Sequence, residues 1–209
     1  QAFNNFNGNI ILANPNAQTG LFVENDKLEE IVKSHKNNLV LIDEAYADFS
    51  TESAIPLLNE FDNLVIIRTF SKSLSFAGMR LGYVVSSPKL IKSIFTVKNS
   101  FNHFPVDFIT QTAGIASCKA YKYYAENSKK VVEERESLTK FLRDRNWFVI
   151  DSKTNFIFAK NEKYSGKELY EKMEVQGNKL MCVHAPKSVH SIVERVIKKT
   201  IFFNTVGFI

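Results

Sequence analysis

The sequence predicts an α/β protein built on a mainly parallel sheet with helices on both faces, followed by a smaller α+β unit. Three observations carry this reading. Short, continuously apolar runs at 39–42, 64–67 and 81–85 suit strands buried on both faces, as in a sheet covered by helices. Each run ends in polar, ionisable or turn residues, and in open α/β sheets ligands bind beyond the carboxyl ends of the strands. A Lys/Glu-rich stretch of helical pattern over 107–145 then leads into two more strand-like runs.

In chain order, residues 9–13 are a short apolar run closed by turn chemistry, Asn14-Pro15-Asn16-Ala17-Gln18-Thr19-Gly20. Leu28, Ile31 and Val32 recur at helical spacing inside a polar segment. The run 39–42 ends on Asp43-Glu44, and 64–67 ends in Arg68-Thr69-Phe70-Ser71-Lys72. The run 81–85 is stopped by Ser86-Ser87-Pro88. Between 107 and 145 there is no Pro and one Gly, so one long helical region is expected. Residues 147–150 and 155–159 read as strands joined by Asp151-Ser152-Lys153, residues 165–175 as a short helix, and 193–197 as helical. A domain boundary is expected at residue 130, with 131–209 the smaller unit and 178–209 atypical within it.

Composition narrows the function. With 209 residues, 44% hydrophobic and 23% charged, the chain is neither disordered nor collagen-like. The formal charge is +5, but Lys is spread beside Glu and Asp without a basic run interleaved with aromatics, so nucleic acid is not an expected partner. No apolar run approaches the ~18 residues of a membrane helix, so no membrane partner is expected. Cys118 and Cys182 lie far apart and fit no metal-ligand spacing, which suits a reduced, cytoplasmic protein. Cys118 is expected to be a buried, inert thiol. His35, His103, His184 and His190 show no metal spacing, and packing or surface roles are expected.

Two segments carry chemistry. In 69–83, Lys72 follows a strand directly within a Ser-rich loop, the placement of a held amine. An amine that attacks a carbonyl must be partly deprotonated, which burial and neighbouring cations favour. Ser71 and Arg80 add a hydroxyl and a fork of donors suited to a phosphate. In 41–49, Asp43 at a strand end can hold a cationic ring nitrogen, and Tyr46 can reach the same place. Taken singly, the first segment also reads as a loop with one exposed Lys and the second as a capping acid pair. Together, in this order, they are the parts that pyridoxal phosphate requires.

Those motifs resemble fold type I pyridoxal-phosphate aminotransferases, most closely the histidinol-phosphate aminotransferase family. Residues 14–20 look like that family's Asn-Pro-Asn-Asn-Pro-Thr-Gly loop, Asp43-Glu44-Ala45-Tyr46 is similar to its Asp-Glu-Ala-Tyr motif, and 71–82 resembles its lysine segment. Phe101-Asn102 and Pro105-Val106 also sit where the family has a comparable stretch. The resemblance implies that Lys72 is the Schiff-base residue and the general base and acid, that Asp43 pairs with the pyridinium nitrogen, and that Tyr46 donates to the cofactor's phenolic oxygen. Ser71 and Arg80 would bind the cofactor phosphate. It further implies that 1–130 is the C-terminal part of a large cofactor-binding domain. The implied partners are a small-molecule amino donor, histidinol phosphate, and a 2-oxo acid, 2-oxoglutarate, in a homodimer. A decarboxylase of phosphorylated amino acids, or an inactive fragment, is the alternative.

Three departures from the family pattern stand out. Ala17 occupies the place of the Asn that contacts the phenolic oxygen, and Asn16, one residue off register, is the expected substitute. The front of the pattern is absent, so an incomplete chain with uncovered hydrophobic edges is expected. After Gly177 the family's Arg-bearing strand, which grips the substrate carboxylate, does not appear, and Arg195 is not assigned that role. Asn155 is expected to make a structural hydrogen bond, with a place near the substrate as the alternative. A reading-frame change near residue 178 would account for the tail. Sequencing the coding DNA tests it: a neighbouring frame should spell the Arg strand, and its absence there overturns the expectation.

Overall fold

The computed structural model describes residues 7–17, 19–175, 180–184 and 193–197, with side chains up to residue 171. Gln18, Gly177, His190 and much of the 178–209 tail lie outside the described residues.

Four strands form the main sheet in the order β1 (Ile10–Ala13), β2 (Val40–Asp43), β3 (Leu64–Thr69) and β4 (Gly82–Ser86). The first three are parallel and β4 is antiparallel to β3. Parallel neighbours require a crossover, which α1 (Asn25–Ser34) supplies between β1 and β2. Its Leu28 and Val32 are fully buried against Ile10, Val40, Ile42, Leu64 and Ile66, the alternate residues that the three strands turn to one face. From β2 to β3 the chain instead uses two 3-10 turns, Ala47–Phe49 and Ile55–Asn59, whose Leu57 closes the same core. On the opposite face Val65 is buried, but Ile11 is 78% exposed, so burial on both faces holds only in part.

α2 (Pro88–Phe101), α3 (Phe108–Lys119) and α4 (Tyr121–Arg143) follow. The long helical region is therefore broken at Ala120 into two helices in place of one continuous rod, and residues 102–107 separate it from α2. Asp107 caps α3 by accepting from Thr110 N at 2.9 Å, and the Thr110 hydrogen bonds hold its carboxyl below the usual carboxylate range. α3 buries a face of small residues, Thr110, Gly114 and Ser117. A Cβ on Gly114 would lie 2.6 Å from Leu81, so the helix seats closely against the start of β4. That choice of face corrects the expectation for Cys118, which is one residue off it and is an exposed free thiol. α2 buries no residue, and Phe95, Phe101, Phe104, Phe108 and Ile109 are exposed along α2, α3 and the link between them.

The second unit differs more from its expectation. β5 (Phe148–Val149) pairs antiparallel with β6 (Ala159–Lys160), both much shorter than the sequence suggests. Residues 152–156 turn because the Ser152 and Thr154 hydroxyls accept from the backbone N–H groups of Thr154 and Phe156, each at 3.1 Å. α5 (Gly166–Val175) matches the predicted short helix. β7 (Leu180–His184) pairs antiparallel with β8 (Val193–Ile197). Residues 193–197 are therefore a strand and not helical. Val193, Val196 and Ile197 are β-branched, and a facing strand rewards that preference. Among the described residues no helix is long and apolar enough to cross a membrane.

Residues 131–160 meet the first part of the chain through backbone as well as side chains. Arg135 of α4, itself buried, donates from Nη1 to the carbonyls of Phe49 (3.1 Å) and Thr154 (2.9 Å). Lys153 N donates to Gly20 O at 2.8 Å. Gly20 has φ +75°, and a Cβ there would lie 2.2 Å from Ser152 Oγ. Gly20→Ala is therefore expected to lose about 1–3 kcal/mol from backbone conformation alone, and more from the clash, read as a lowered urea midpoint.

Candidate active site

In the register Ala13↔Asp43↔Ile67, β1 and β2 end level with one another beside Ile67, and β3 runs two residues further to Thr69. Asn14 N donates to Asp43 O and Glu44 N to Ile67 O, each at 2.9 Å, so Asn14 and Glu44 leave the sheet beside Arg68, which is still paired with Tyr83 of β4. This common edge carries the residues singled out above. Asp43 ends β2, half-buried, and its Oδ1 accepts from Ala45 N at 3.0 Å, which turns the chain sharply. Tyr46 is buried three residues on, its ring 5.4 Å from Phe156 and packed with Phe49 and Val131.

Lys72 lies in the β3–β4 loop. Because β4 runs antiparallel, this loop stays at the same edge of the sheet, and it is pinned by Phe70 N to Leu81 O (3.0 Å) and Phe76 N to Phe70 O (2.9 Å). Lys72 Nζ sits 5.0 Å from the centroid of the Tyr46 ring, within cation–π range. Ser71 N donates to Thr69 Oγ1 at 3.1 Å, leaving the Ser71 side chain half-buried at the start of the loop. Arg80, at its end, has φ +52° and is exposed, its guanidinium donating to Ala77 O at 3.1 Å.

Asn16 holds its own loop. Its Oδ1 accepts from Thr19 N (3.2 Å) and Thr19 Oγ1 (2.9 Å), so the amide nitrogen is the donor it has to offer. Ala17 packs against the Tyr46, Phe49 and Val131 cluster. The buried Asn14 staples the loop further, exchanging two hydrogen bonds with the backbone of Val23. Asn155 Oδ1 is buried without a hydrogen-bond partner among the described residues, so the expected structural bond is not made by that atom.

Sequence reasoning passed over a charged cluster next to Lys72. Arg68 Nε lies 2.9 Å from Glu44 Oε2, and Arg68 Nη1 donates to Asp48 Oδ1 at 2.7 Å. The Nε contact is off the hydrogen-bond angle and is an ion pair only. Glu44, 2% exposed, also accepts from Ser53 Oγ at 2.8 Å and from Ala54 N. Ser73 donates to the second oxygen of Asp48. Burial pulls the Arg68 pKa down, but Glu44 and Asp48 outweigh it and hold it above its usual value. Burial pushes Tyr83, across from Arg68 on β4, up; Arg68 opposes this and the two carboxylates reinforce it. The signal in the sequence was an Arg at the polar end of an apolar run, but its partners are 20 or more residues away. Among the described residues no group of His, Cys, Asp or Glu could hold a metal ion.

Residues 3–189 match the family described as aminotransferase class I and II. The chain belongs to this family. It is similar to a histidinol-phosphate aminotransferase from Lactococcus lactis subsp. cremoris (strain SK11), 44% identical over 165 residues, which cover 79% of this chain and 46% of that protein. A histidinol-phosphate aminotransferase from Chromohalobacter salexigens is 41% identical over 176 residues, 84% of this chain and 50% of the relative. The chain thus spans about half the length of the curated relatives it matches. In fold it is similar to the histidinol-phosphate aminotransferase from Sinorhizobium meliloti, solved in complex with pyridoxal-5'-phosphate, with TM-score 0.72, 24% identity, and coverage of 89% of this chain and 50% of that one. The L-threonine-O-3-phosphate decarboxylase from Porphyromonas gingivalis shares the fold at TM-score 0.76 and 20% identity, covering 97% of this chain and 62% of that one.

At this edge the Tyr46 ring is a packing element of the Phe49 and Val131 cluster. Tyr46→Phe is expected to leave stability within about 0.5 kcal/mol, and Tyr46→Ala to cost about 3 kcal/mol in urea unfolding, because the ring and not the hydroxyl fills the cluster.

Proposed function

We propose that this chain belongs to a pyridoxal-phosphate-dependent aminotransferase that moves an amino group between histidinol phosphate and 2-oxoglutarate, a step of histidine biosynthesis. The observation that carries the reading is Lys72 Nζ over the Tyr46 ring, at the strand edge that Asp43 ends. The donor set fits the cofactor: one amine, one carboxylate, one phenol, and a hydroxyl and guanidinium at the two ends of a single loop. When bound, pyridoxal phosphate supplies an aldehyde that bonds an amine and a ring that accepts an electron pair.

Each residue then has a role at a named atom. Lys72 Nζ would hold the aldehyde and, as the freed amine, would carry a proton between the substrate's α-carbon and the carbon that bore the aldehyde. The Asp43 carboxylate keeps the ring nitrogen protonated, since an ion pair favours the charged form. The Tyr46 hydroxyl donates to the phenolic oxygen, with the Asn16 amide nitrogen as a second donor. Ser71 Oγ and the Arg80 guanidinium bind the phosphate. We place the domain division at residue 130, inside α4, because the second half of that helix packs Leu138 and Leu142 on Val149 and Ile157. The exposed apolar residues of α2 and α3 support a homodimer, and we place the protein in the cytoplasm. The decarboxylase similarity is one of fold, whereas relatives at 41–44% identity are aminotransferases by name, which favours amino transfer.

Absorbance of the purified chain with added pyridoxal phosphate, beside Lys72→Ala, tests the reading. A visible band present in the wild type and lost in the variant is expected, with borohydride reduction leaving a mass adduct on Lys72. Identical spectra for the two proteins overturn it.

A further inference from the structure

We propose that Arg68, Asp48 and Ser73 form a clamp that positions the Lys72 loop against the segment carrying Asp43 and Tyr46. The two segments leave neighbouring strands and are joined here by side chains. Arg68, at the exit of β3, gathers Glu44 and Asp48 from the chain leaving β2. Asp48 spends one oxygen on Arg68 and accepts from Ser73 with the other, and Ser73 is the residue after Lys72. Glu44 is fixed in turn by Ser53 and Ala54, so the chain of contacts runs from a buried anchor to the loop.

A positioning role follows from what each contact can do. Lys has a flexible four-carbon stem, so its amine reaches a fixed place only if the backbone beneath it is fixed. Lys72 is exposed and its amine meets the Tyr46 ring, a contact too weak to order the loop by itself. The buried Arg68–Glu44 pair is poor evidence for stability, because desolvation offsets its attraction. The Ser73–Asp48 bond is only half-buried and fills no core, yet it ties the residue next to Lys72 to a charge held in place by Arg68. A hydrogen bond to an ionised group is among the stronger ones, which suits it to select one loop conformation. Ser73 is thus a positioning residue acting through Lys72, and the inference rests on Lys72 being the cofactor-holding amine.

The test compares the wild-type chain with Ser73→Ala, Ser73→Thr and Asp48→Ala by two readouts. Without cofactor, amide hydrogen exchange over 70–76 is expected to quicken about tenfold in Ser73→Ala and Asp48→Ala and to stay near wild type in Ser73→Thr, which keeps the hydroxyl. With pyridoxal phosphate added, Ser73→Ala is expected to bind about tenfold more weakly and to lose the visible circular dichroism of the bound cofactor, again rescued by Ser73→Thr. Wild-type exchange in a folded Ser73→Ala overturns the clamp. Quicker exchange with unchanged affinity and dichroism overturns the positioning role. If the wild type itself gives no cofactor band, the proposed role of Lys72 fails, and with it the positioning role, while the exchange data still decide whether the clamp exists.

Discussion

The parallel register of β1, β2 and β3 is the constraint on which the site depends. It brings the ends of β1 and β2 level with Ile67 of β3, so Asn14, Glu44 and Arg68 stand together although 30 and 24 residues of sequence separate them. The register is held by the alternate residues that face α1, where a slip of one position would turn Val40, Ile42, Leu64 and Ile66 out of the core. The apolar packing of one face therefore fixes the polar chemistry at one edge.

Reversal of direction at β4 is the second decision. A parallel fourth strand would need a crossover that carries the chain away from this edge. An antiparallel one lets residues 70–81 close as a loop over the same edge, with Lys72 near Tyr46 and Arg80 at the return. α3 then seats its small-residue face on Leu81 and fixes the base of that loop from the other side. Later residues contribute through Phe156 on Tyr46 and through Arg135 of α4, which spans Phe49 and Thr154. Movement of residues 152–156 would thus be felt directly at Tyr46.

Polar groups are treated differently at the two ends of this edge. Glu44, Arg68 and Asp48 pair with one another, and burial then costs less because each charge has an opposite neighbour. Ser71, Lys72 and Arg80 are left half-buried or exposed. Asn16 lies between these cases, its oxygen engaged by Thr19 and its nitrogen still to donate.

Much of the first unit was legible in the sequence. Uninterrupted apolar runs marked the strands, the spacing of Leu28 and Val32 marked α1, and the order of Asp43, Tyr46, Ser71, Lys72 and Arg80 marked the family. These are local signals: a run's period or a motif's spacing is set within a few residues. The tertiary structure decided what depends on distant partners. Residues 193–197 became a strand because 180–184 lie opposite them, and Cys118 was exposed because α3 turned Gly114 to Leu81 and buried Ser117. Asp48 met Arg68 and Ser73 only once two strand ends were brought level. No local pattern encodes such pairings, because an ion pair or a buried face is a property of two segments and exists only after the backbone has brought them together.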